Sequence, residues 1–504
     1  MLAVSPSKKA MDLIQSITIT TAATQPAYRS KSFFVITSLI ALVIFFPRYS
    51  INVIADYTQS FIEQFGLALL LFSTVMVLLT LAISVSPLGK LRLGGAQAKT
   101  EFSTLSWLAM LFTAGMGSGL IFWGIAEPLF HFANPPAFVD AGNNSKDTAL
   151  AITYFHWGIH AWSIYAMAGL AVAWFSFNRG RSMHISSSFS AKSNQSRYRF
   201  VDWMAIIAIL FGVAGTFANT IALVQTGLQQ TVSAEIGSVL FRYGLILLIA
   251  LLFTGSSILG LHRGIKRLSL FNTMLMLVLV SVVFVSFSPL ETLNTIVSST
   301  TSYLSLLPEV SFSINDESRQ WSLGWTIIYL VWWVAWAPFV GPFIARISKG
   351  RSIRQFLLSA VWVPTIASIV WFSAFGGSAL EQPFAQQVID AVNQDYTQGL
   401  FRFFQQISFG EVLSIAAIVL LITFIITSAD SALLVCCMLG GDEGNKSKIV
   451  WAALLVSLSM ALIYINDVDL NKQVAIAGAL PFTLVMIGQV ISMAVDMVRY
   501  QRQQ

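Results

Sequence analysis

Apolar runs of roughly 20 residues, each long enough to cross a bilayer as a helix, recur along nearly the whole chain. Only 10% of the 504 residues are charged, whereas a soluble domain carries roughly 25%. The pattern therefore predicts an all-α polytopic membrane protein. The twelve expected spans are about 33–54, 65–86, 106–130, 150–177, 201–229, 240–260, 269–289, 321–346, 355–377, 410–440, 448–466 and 473–497.

Lys and Arg are distributed unevenly between alternate connecting segments. If the N-terminus is cytoplasmic, 23 of the 29 Lys and Arg residues fall in cytoplasmic segments. Such residues concentrate on the cytoplasmic side of membrane proteins. We therefore expect a multi-pass protein of the bacterial inner membrane with both termini in the cytoplasm. The same rule explains the formal net charge of +6 without a nucleic-acid partner.

Residue patterns for catalysis or for a bound metal are missing from the sequence. The only cysteines, Cys436 and Cys437, are adjacent and form no zinc pattern. His156 and His160 are four residues apart, but we expect no carboxylate or cysteine nearby to complete a metal site. We therefore expect no enzyme, no transition metal and no cofactor. No phosphate-binding loop is present either, so any transport must use an ion or solute gradient.

Helix-breaking residues interrupt the third and eighth predicted spans. The third contains Gly115-Met116-Gly117-Ser118-Gly119, and the eighth contains Pro338 and Pro342. Backbone N–H and C=O groups without helical hydrogen bonds are tolerated at membrane depth only where other protein groups or the water of a cavity bond them. Because the two spans are five apart, matching breaks predict inverted repeats with a site at the membrane midplane. The alternative is that Gly115 and Gly119 form a helix-packing face.

Aromatic residues cluster in the fourth and eighth spans. Trp332 and Trp333 lie four and three residues before Trp336, so both share a helix face with it. A quaternary ammonium has no N–H to donate, and aromatic faces bind it through cation–π interactions. Interfacial anchoring or core packing explains a single Trp more simply, but this run beside prolines favours a cation box. The clusters comprise Trp157, Trp162, Tyr165, Trp325, Tyr329, Trp332, Trp333 and Trp336.

Acidic residues are absent from the depth of the third, fourth and eighth spans. Glu127 is expected near the outer end of the third. A bare cation would prefer a carboxylate in its site, whereas a zwitterion carries its own. That carboxylate could bind the amides of the glycine stretch or a half-helix N-terminus. The charges therefore favour a zwitterionic ligand.

At these residues the sequence resembles the betaine/choline/carnitine transporter (BCCT) family. The eighth-span run from Trp325 through Trp336 and Gly341 to Arg354 is close to the family signature. The glycine stretch followed by Glu127-Pro128, and the segment from His156-Trp157 to Tyr165, match as well. The resemblance covers about 33–497 and implies a homotrimer with a leucine-transporter-type fold. Its implied parts are cytoplasmic tails at 1–32 and 498–504, extra helices at 33–86, five-helix repeats at 106–289 and 321–497, and an amphipathic connector at 290–318.

The resemblance also implies the site residues. Choline-preferring members tend to have Asp where this chain has Gly119, which favours glycine betaine or dimethylsulfoniopropionate, while carnitine and choline stay open. In sodium-coupled members, two ion sites match residues of this chain. The implied substrate-binding residues are Trp157, Trp162, Tyr165, Trp332, Trp333, Trp336, Gly115, Met116, Gly117 and Gly119. The implied sodium ligands are Thr427, Ser428 and Met116, and, for a second site, Thr216, Thr220 and Phe339.

Three functions are compatible with the sequence. The first is a sodium symporter that imports a quaternary ammonium or sulfonium zwitterion. The second is a sodium-independent exchanger or a choline importer; exchangers of the family carry a positive side chain in the fifth span, which has none between Arg199 and Arg242. The third is a channel or a membrane sensor. Asp430, inside the tenth span, is either functional or a structural acceptor, and Asn219 has no assigned role.

Overall fold

Helices make up most of the part of the chain that the computed structural model describes, which is residues 30–139, 145–190, 196–232, 236–260 and 264–503. The predicted tail 1–32 falls almost wholly outside these ranges. Within them, the only β pairing is an isolated bridge between Arg92 and Ser352. In the first half, the helices are α1 (Lys31–Phe45), α2 (Pro47–Val85), α3 (Thr104–Met116), α4 (Gly119–Ala133), α5 (Lys146–Trp157), α6 (Ile159–Ala173), α7 (Ser196–Thr231), α8 (Val239–Leu259) and α9 (Ile265–Ser286).

A long connecting helix joins these to the second half. In the described residues the remaining helices are α10 (Pro289–Phe312), α11 (Arg319–Ile347), α12 (Ile353–Leu380), α13 (Ala385–Gln394), α14 (Gly399–Phe404), α15 (Gly410–Gly440), α16 (Asn445–Ile465), α17 (Val468–Ala477) and α18 (Ala479–Arg502).

The helices confirm an all-α protein that crosses the membrane many times. Ten helical segments of the described chain are long and apolar enough to span a bilayer, and the bent pair α3–α4 makes an eleventh. The first predicted span, 33–54, has the wrong boundaries, because α1 ends at Phe45 and Pro47 begins the next helix. With 15 residues, α1 is about 22 Å long, shorter than the hydrocarbon core. The second predicted span is the C-terminal part of the 39-residue α2.

The predicted break in the eighth span is wrong. Helix α11 continues through Pro338 and Pro342, both buried. Each proline removes the hydrogen bond to the carbonyl four residues earlier, but close packing on every side holds the segment helical, since 94% of its apolar window is buried. The eighth span therefore has no break at these prolines to match the one in the third span, and it gives no support of this kind for inverted repeats. The division into repeats at 106–289 and 321–497 stays a prediction.

Two further glycines interrupt helices, one in the fourth predicted span, 150–177, whose length predicts a tilted or broken helix, and one in the twelfth, 473–497. Gly158 separates α5 from α6, and Gly478 separates α17 from α18. A Cβ at Gly158 would lie 2.4 Å from the carbonyl oxygen of Tyr154, and one at Gly478 would lie 2.8 Å from Cα of Ala208. Both positions therefore need the smallest residue, because backbone passes too close for a side chain.

Burial divides the helices into a centre and a periphery. The segment Lys146–Asn178 is wholly buried over its apolar window, and α11 nearly so, whereas α8 and α9 are buried over only 17% and 28%. Helix α11 packs on α6 and α7, and α7 in turn packs on α15 and α17. The candidate site lies among these central helices. Helix α10 turns polar residues such as Thr295 inward and apolar ones such as Val297 outward, as expected for contact with lipid.

Candidate functional site

The predicted break in the third span is present and forms one end of a central cavity. Helix α3 ends at Met116, α4 begins at Gly119, and the two are bent by 59°. Gly117 has a φ of +53°, in the left-handed region that favours glycine. The break leaves carbonyl oxygens at the end of α3 and amides at the start of α4 without helical partners. It therefore presents partial negative and partial positive charge at one point.

The glycines of the break each allow an indole to approach the backbone. A Cβ at Gly115 would lie 2.7 Å from the ring of Trp162, and one at Gly119 would lie 2.9 Å from the ring of Trp157. A Cβ at Gly117 would lie 3.0 Å from the ring of Trp336. The glycine stretch is thus both a helix break and a packing surface. The two interpretations offered by the sequence are therefore compatible.

The cavity, with the open solvent at its mouth, comprises about 520 Å³ that protein atoms do not fill. Most of the predicted substrate-binding residues line it, but Trp162 and Gly117 do not. The ring of Trp162 lies behind the wall, 5.5 Å from Tyr165 and 5.8 Å from Trp333. The lining residues are Gly115, Met116, Gly119, Phe122, Trp123, Trp157, Tyr165, Thr216, Asn219, Thr220, Tyr329, Trp332, Trp333 and Trp336.

Sequence reasoning overlooked two aromatic residues of this wall, Phe122 and Trp123. Both follow the break, three and four residues after Gly119, so they lie on the same face of α4 as that glycine. Periodicity counted from the break could have found them. Asn219, which had no assigned role, also lines the cavity, and its Oδ1 accepts a 2.8 Å hydrogen bond from Asn471 on α17.

Hydrogen bonds from the indole N–H groups fix the orientation of three cavity rings. Trp333 donates to the carbonyl oxygen of His156 at 2.9 Å, and Trp336 donates to that of Gly212 at 3.3 Å. Trp157 donates to Oε2 of Glu127 at 2.7 Å. Their faces meet at steep angles, with Trp157 and Trp333 5.5 Å apart at 87°. None of the described residues that line the cavity is acidic, so the rings dominate the chemistry of the cavity.

A buried carboxylate lies directly behind the Trp157 wall. Oε1 of Glu127 is 2.6 Å from Nδ1 of His156 and 3.3 Å from Nε2 of His131, and all three side chains are fully buried. The expectation that no carboxylate lies beside His156 is therefore wrong. The ligand atoms of the three residues fall within 4.8 Å of one another, a spacing that a metal ion could bridge. Hydrogen bonds already occupy both carboxylate oxygens.

His160 belongs to a different environment. Its Nε2 lies 3.3 Å from Oγ1 of Thr74 and 3.2 Å from Oγ of Ser311. These contacts join α6 to α2 and α10, which supports a packing role. Asp430 accepts a 2.5 Å hydrogen bond from Ser256 and connects α15 to α8. This contact is the one expected of a structural acceptor.

The first predicted sodium site lies beside the break. Ser428 is buried, and its hydroxyl has no hydrogen-bond partner in the described chain. A Cβ at Gly117 would lie 3.3 Å from that oxygen, so the hydroxyl faces the break. Thr427 instead donates to the carbonyl oxygen of Thr423 at 2.8 Å and accepts from Asn272 at 3.0 Å. Met116, the third residue predicted for this site, directly precedes Gly117 at the end of α3.

The second predicted sodium site lies at the cavity wall on α7. Thr216 and Thr220 line the cavity, and both hydroxyls donate to carbonyl oxygens one turn back, at 3.1 and 2.8 Å. Oγ1 of Thr220 also lies 2.5 Å from Oγ of Ser118, inside the break. Phe339 is wholly buried, with its ring 5.1 Å from that of Trp336. The two predicted ion sites therefore flank the same helix break.

Comparison with known proteins gives one family across the chain. The family model described as BCCT, betaine/carnitine/choline family transporter, matches residues 30–502. A probable glycine betaine transporter of Desulfitobacterium hafniense (strain Y51) is 34% identical over 470 residues, which cover 90% of this chain and 94% of that protein. The glycine betaine transporter OpuD of Bacillus subtilis (strain 168) is 35% identical over 470 residues, which cover 90% of this chain and 91% of that protein.

A relative whose name includes more substrates is also similar. A Vibrio parahaemolyticus protein named as a glycine betaine/proline/choline/ectoine transporter is 32% identical over 493 residues, which cover 93% of this chain and 86% of that protein. Glycine betaine is therefore common to the names of these relatives, whereas choline appears in only one of the three.

Proposed function

The chain belongs to the betaine/carnitine/choline transporter family, and from that premise we propose that it imports a zwitterionic quaternary ammonium or sulfonium solute by sodium symport. Glycine betaine and dimethylsulfoniopropionate are the substrates we favour. The proposal places the protein in the bacterial inner membrane, with both termini in the cytoplasm, as a homotrimer. It includes no catalytic step and no cofactor.

The aromatic cavity is the observation that carries this proposal. Its wall includes Trp157, Trp332, Trp333 and Trp336 and no acidic side chain. A trimethylammonium or dimethylsulfonium group has no donor to satisfy, so indole faces are its natural partners, each worth up to about 2 kcal/mol when water is excluded. A bare cation would find no counter-charge among the described residues that line the cavity, whereas a zwitterion brings its own carboxylate.

The helix break offers the matching site for that carboxylate. Gly119 lines the cavity and begins α4, so the free amides and the positive end of the helix dipole lie at the cavity wall. With the ammonium between the indoles and the carboxylate at the start of α4, both charges of the ligand have partners. This arrangement favours a compact zwitterion over a longer one.

The unpartnered hydroxyl of Ser428 supports sodium as the coupling ion. Sodium is a hard cation and prefers oxygen ligands. Ser428, Thr427 and the carbonyl oxygens near Met116 could supply several at the break. Because the same break also carries Gly119, an ion bound there would stabilise the bent conformation that forms the substrate site. This shared element is the physical basis we propose for coupling.

Uptake into proteoliposomes tests the proposal. Labelled glycine betaine is supplied with an inward sodium gradient in one arm and with potassium in its place in the other. Sodium-driven accumulation supports the symporter. Uptake that needs a preloaded solute but no sodium supports the exchanger, and downhill movement without accumulation supports a channel. Dimethylsulfoniopropionate, carnitine and choline are tested in the same way to rank the substrates.

A further inference from the structure

A second aromatic cage, next to the central cavity, contains the ammonium group of Lys472. The Nζ atom lies 5.2, 4.9 and 5.5 Å from the ring centroids of Trp123, Trp325 and Tyr396. These rings come from α4, α11 and the short turn Tyr396–Gln398, so three separate parts of the chain converge on one charge. The Lys472 side chain is only 4% exposed. The cage therefore surrounds an alkylammonium group that belongs to the chain itself.

The charge of Lys472 is only partly neutralised by its ion-pair partner. Oδ1 of Asp469, one turn earlier on α17, lies 2.6 Å from Nζ. The Asp469 side chain is 62% exposed, so water screens its charge, whereas the ammonium is buried among rings. Towards the protein interior, the pair therefore presents a net positive potential.

The cage and the central cavity share a wall. Trp123 both lines the cavity and lies with its ring centroid 5.2 Å from Nζ of Lys472. Trp325 stacks on Tyr329, another cavity residue, at 6.1 Å and 14°. Asn471, the neighbour of Lys472 on α17, donates to the cavity residue Asn219. A charge in the cage is thus separated from the cavity by little more than one ring.

Opposite buried charges consequently contact different rings around the cavity, and their two sites adjoin, because the Trp325 ring that contacts Lys472 also lies 4.7 Å from the ring of His131, a partner of Glu127. The carboxylate of Glu127 accepts from Trp157, and the ammonium of Lys472 lies beside Trp123. A solute with a single positive charge is attracted by the first and repelled by the second. A zwitterion can direct its ammonium towards one and its carboxylate towards the other, so both charges contribute favourably.

We propose that Lys472 is a specificity-determining residue, whose caged ammonium makes the cavity select zwitterions over bare quaternary ammonium cations. The proposal rests on the function proposed above and deepens it, because it explains how an aromatic box can discriminate between ligands that carry the same trimethylammonium group. Lys472 acts through the field of its charge and does not touch the solute. Its removal therefore changes selectivity more than it changes the uptake of a zwitterion.

Competition for uptake measures this selectivity. The readout is the ratio of the concentrations of choline and of unlabelled glycine betaine that halve uptake of labelled betaine. We expect Lys472→Gln to lower the ratio about tenfold, the order expected for unit charges roughly 10 Å apart at an effective dielectric constant of about 20. Lys472→Arg keeps the charge and the ring contacts, and should keep the wild-type ratio. A ratio unchanged in Lys472→Gln overturns the proposal, as does an equal change in both variants.

A second variant changes the same field in the opposite direction and leaves the lysine in place. Asp469→Asn removes the exposed counter-charge, so the ratio should rise above that of the wild type. This test covers the case in which Lys472→Gln fails to fold, and an unchanged or lowered ratio would contradict the proposal. If the wild-type protein takes up neither compound, the proposed function fails and this inference with it. If it takes up betaine with a ratio that none of the variants changes, only this inference fails.

Discussion

The indole N–H of Trp157 donates a 2.7 Å hydrogen bond to Oε2 of Glu127, so a wholly buried carboxylate anchors one wall of the cavity. The same carboxylate also lies within hydrogen-bond distance of His131 and His156. We expect Glu127→Gln to raise the KM for betaine about tenfold, because losing a charge-assisted hydrogen bond costs about 1.5–3 kcal/mol and frees the ring.

Uptake kinetics at matched expression check this prediction. Glu291→Gln, an exposed acid at the start of α10, is the control and should leave KM unchanged. An unaltered KM in Glu127→Gln would show that the position of Trp157 does not depend on the carboxylate.

The rings of α11 should be individually important for uptake. Trp332→Leu or Trp336→Leu removes one face of the box, and each should raise KM by ten- to thirtyfold, the equivalent of up to about 2 kcal/mol. Expression should stay intact. The matched control is Trp362→Leu on α12, because Trp362 is 39% exposed on the outside of the bundle. Normal kinetics in both cavity variants would remove the aromatic-box assignment.

The conformation of Gly117 should be essential. An alanine there must adopt a φ of +53° with a ψ of −157°, a combination essentially confined to glycine that costs about 1–3 kcal/mol, and its Cβ would meet the ring of Trp336 at 3.0 Å. We expect Gly117→Ala to reduce betaine uptake at least tenfold. Gly244→Ala on the peripheral helix α8 should be neutral, because no atom lies within 4 Å of the added carbon. Equal uptake by the two variants would contradict the role of the break.

Removal of the unpartnered hydroxyl beside the break should weaken sodium activation. Ser428→Ala takes one oxygen from the proposed ion site and leaves the cavity lining intact. The sodium concentration for half-maximal uptake should rise several-fold, with a smaller change in maximal rate at saturating sodium. Ser414→Ala is the control, because that hydroxyl on α15 donates to the carbonyl oxygen of Gly410. A sodium dependence that is the same in both variants would argue for ion binding elsewhere.

Local sequence signals predicted the membrane class and much of the cavity wall. The helical spacing of Trp332, Trp333 and Trp336, and the glycine stretch before Gly119, are visible without any tertiary information. The same local reasoning failed at Pro338, because helix continuity there depends on surrounding packing that composition does not report. Local propensity is a weak guide where a helix is buried on all sides.

Contacts between residues far apart in the sequence were the main features that sequence patterns did not predict. His131 follows Glu127 by four residues, which was a readable signal, but His156 joins them from another helix. The cage around Lys472 combines residues separated by up to 349 positions, from Trp123 to Lys472, and no spacing rule detects it. Sequence patterns therefore located rings along each helix, whereas the charges behind those rings emerged only from the fold.

The seating of one indole on each glycine of the break has a mechanical consequence. Three indoles lie against the backbone around the 59° bend: Trp162 at Gly115, Trp336 at Gly117 and Trp157 at Gly119. Straightening or deepening that bend must therefore displace Trp336 and Trp157, which line the cavity, and Trp162, which lies behind its wall. A solute wedged between the rings resists such a motion, and by thermodynamic reciprocity the angle of the bend sets how tightly the solute is held. The bend angle and solute binding are therefore coupled, so that a change in the free energy of bending changes the free energy of binding by the same amount.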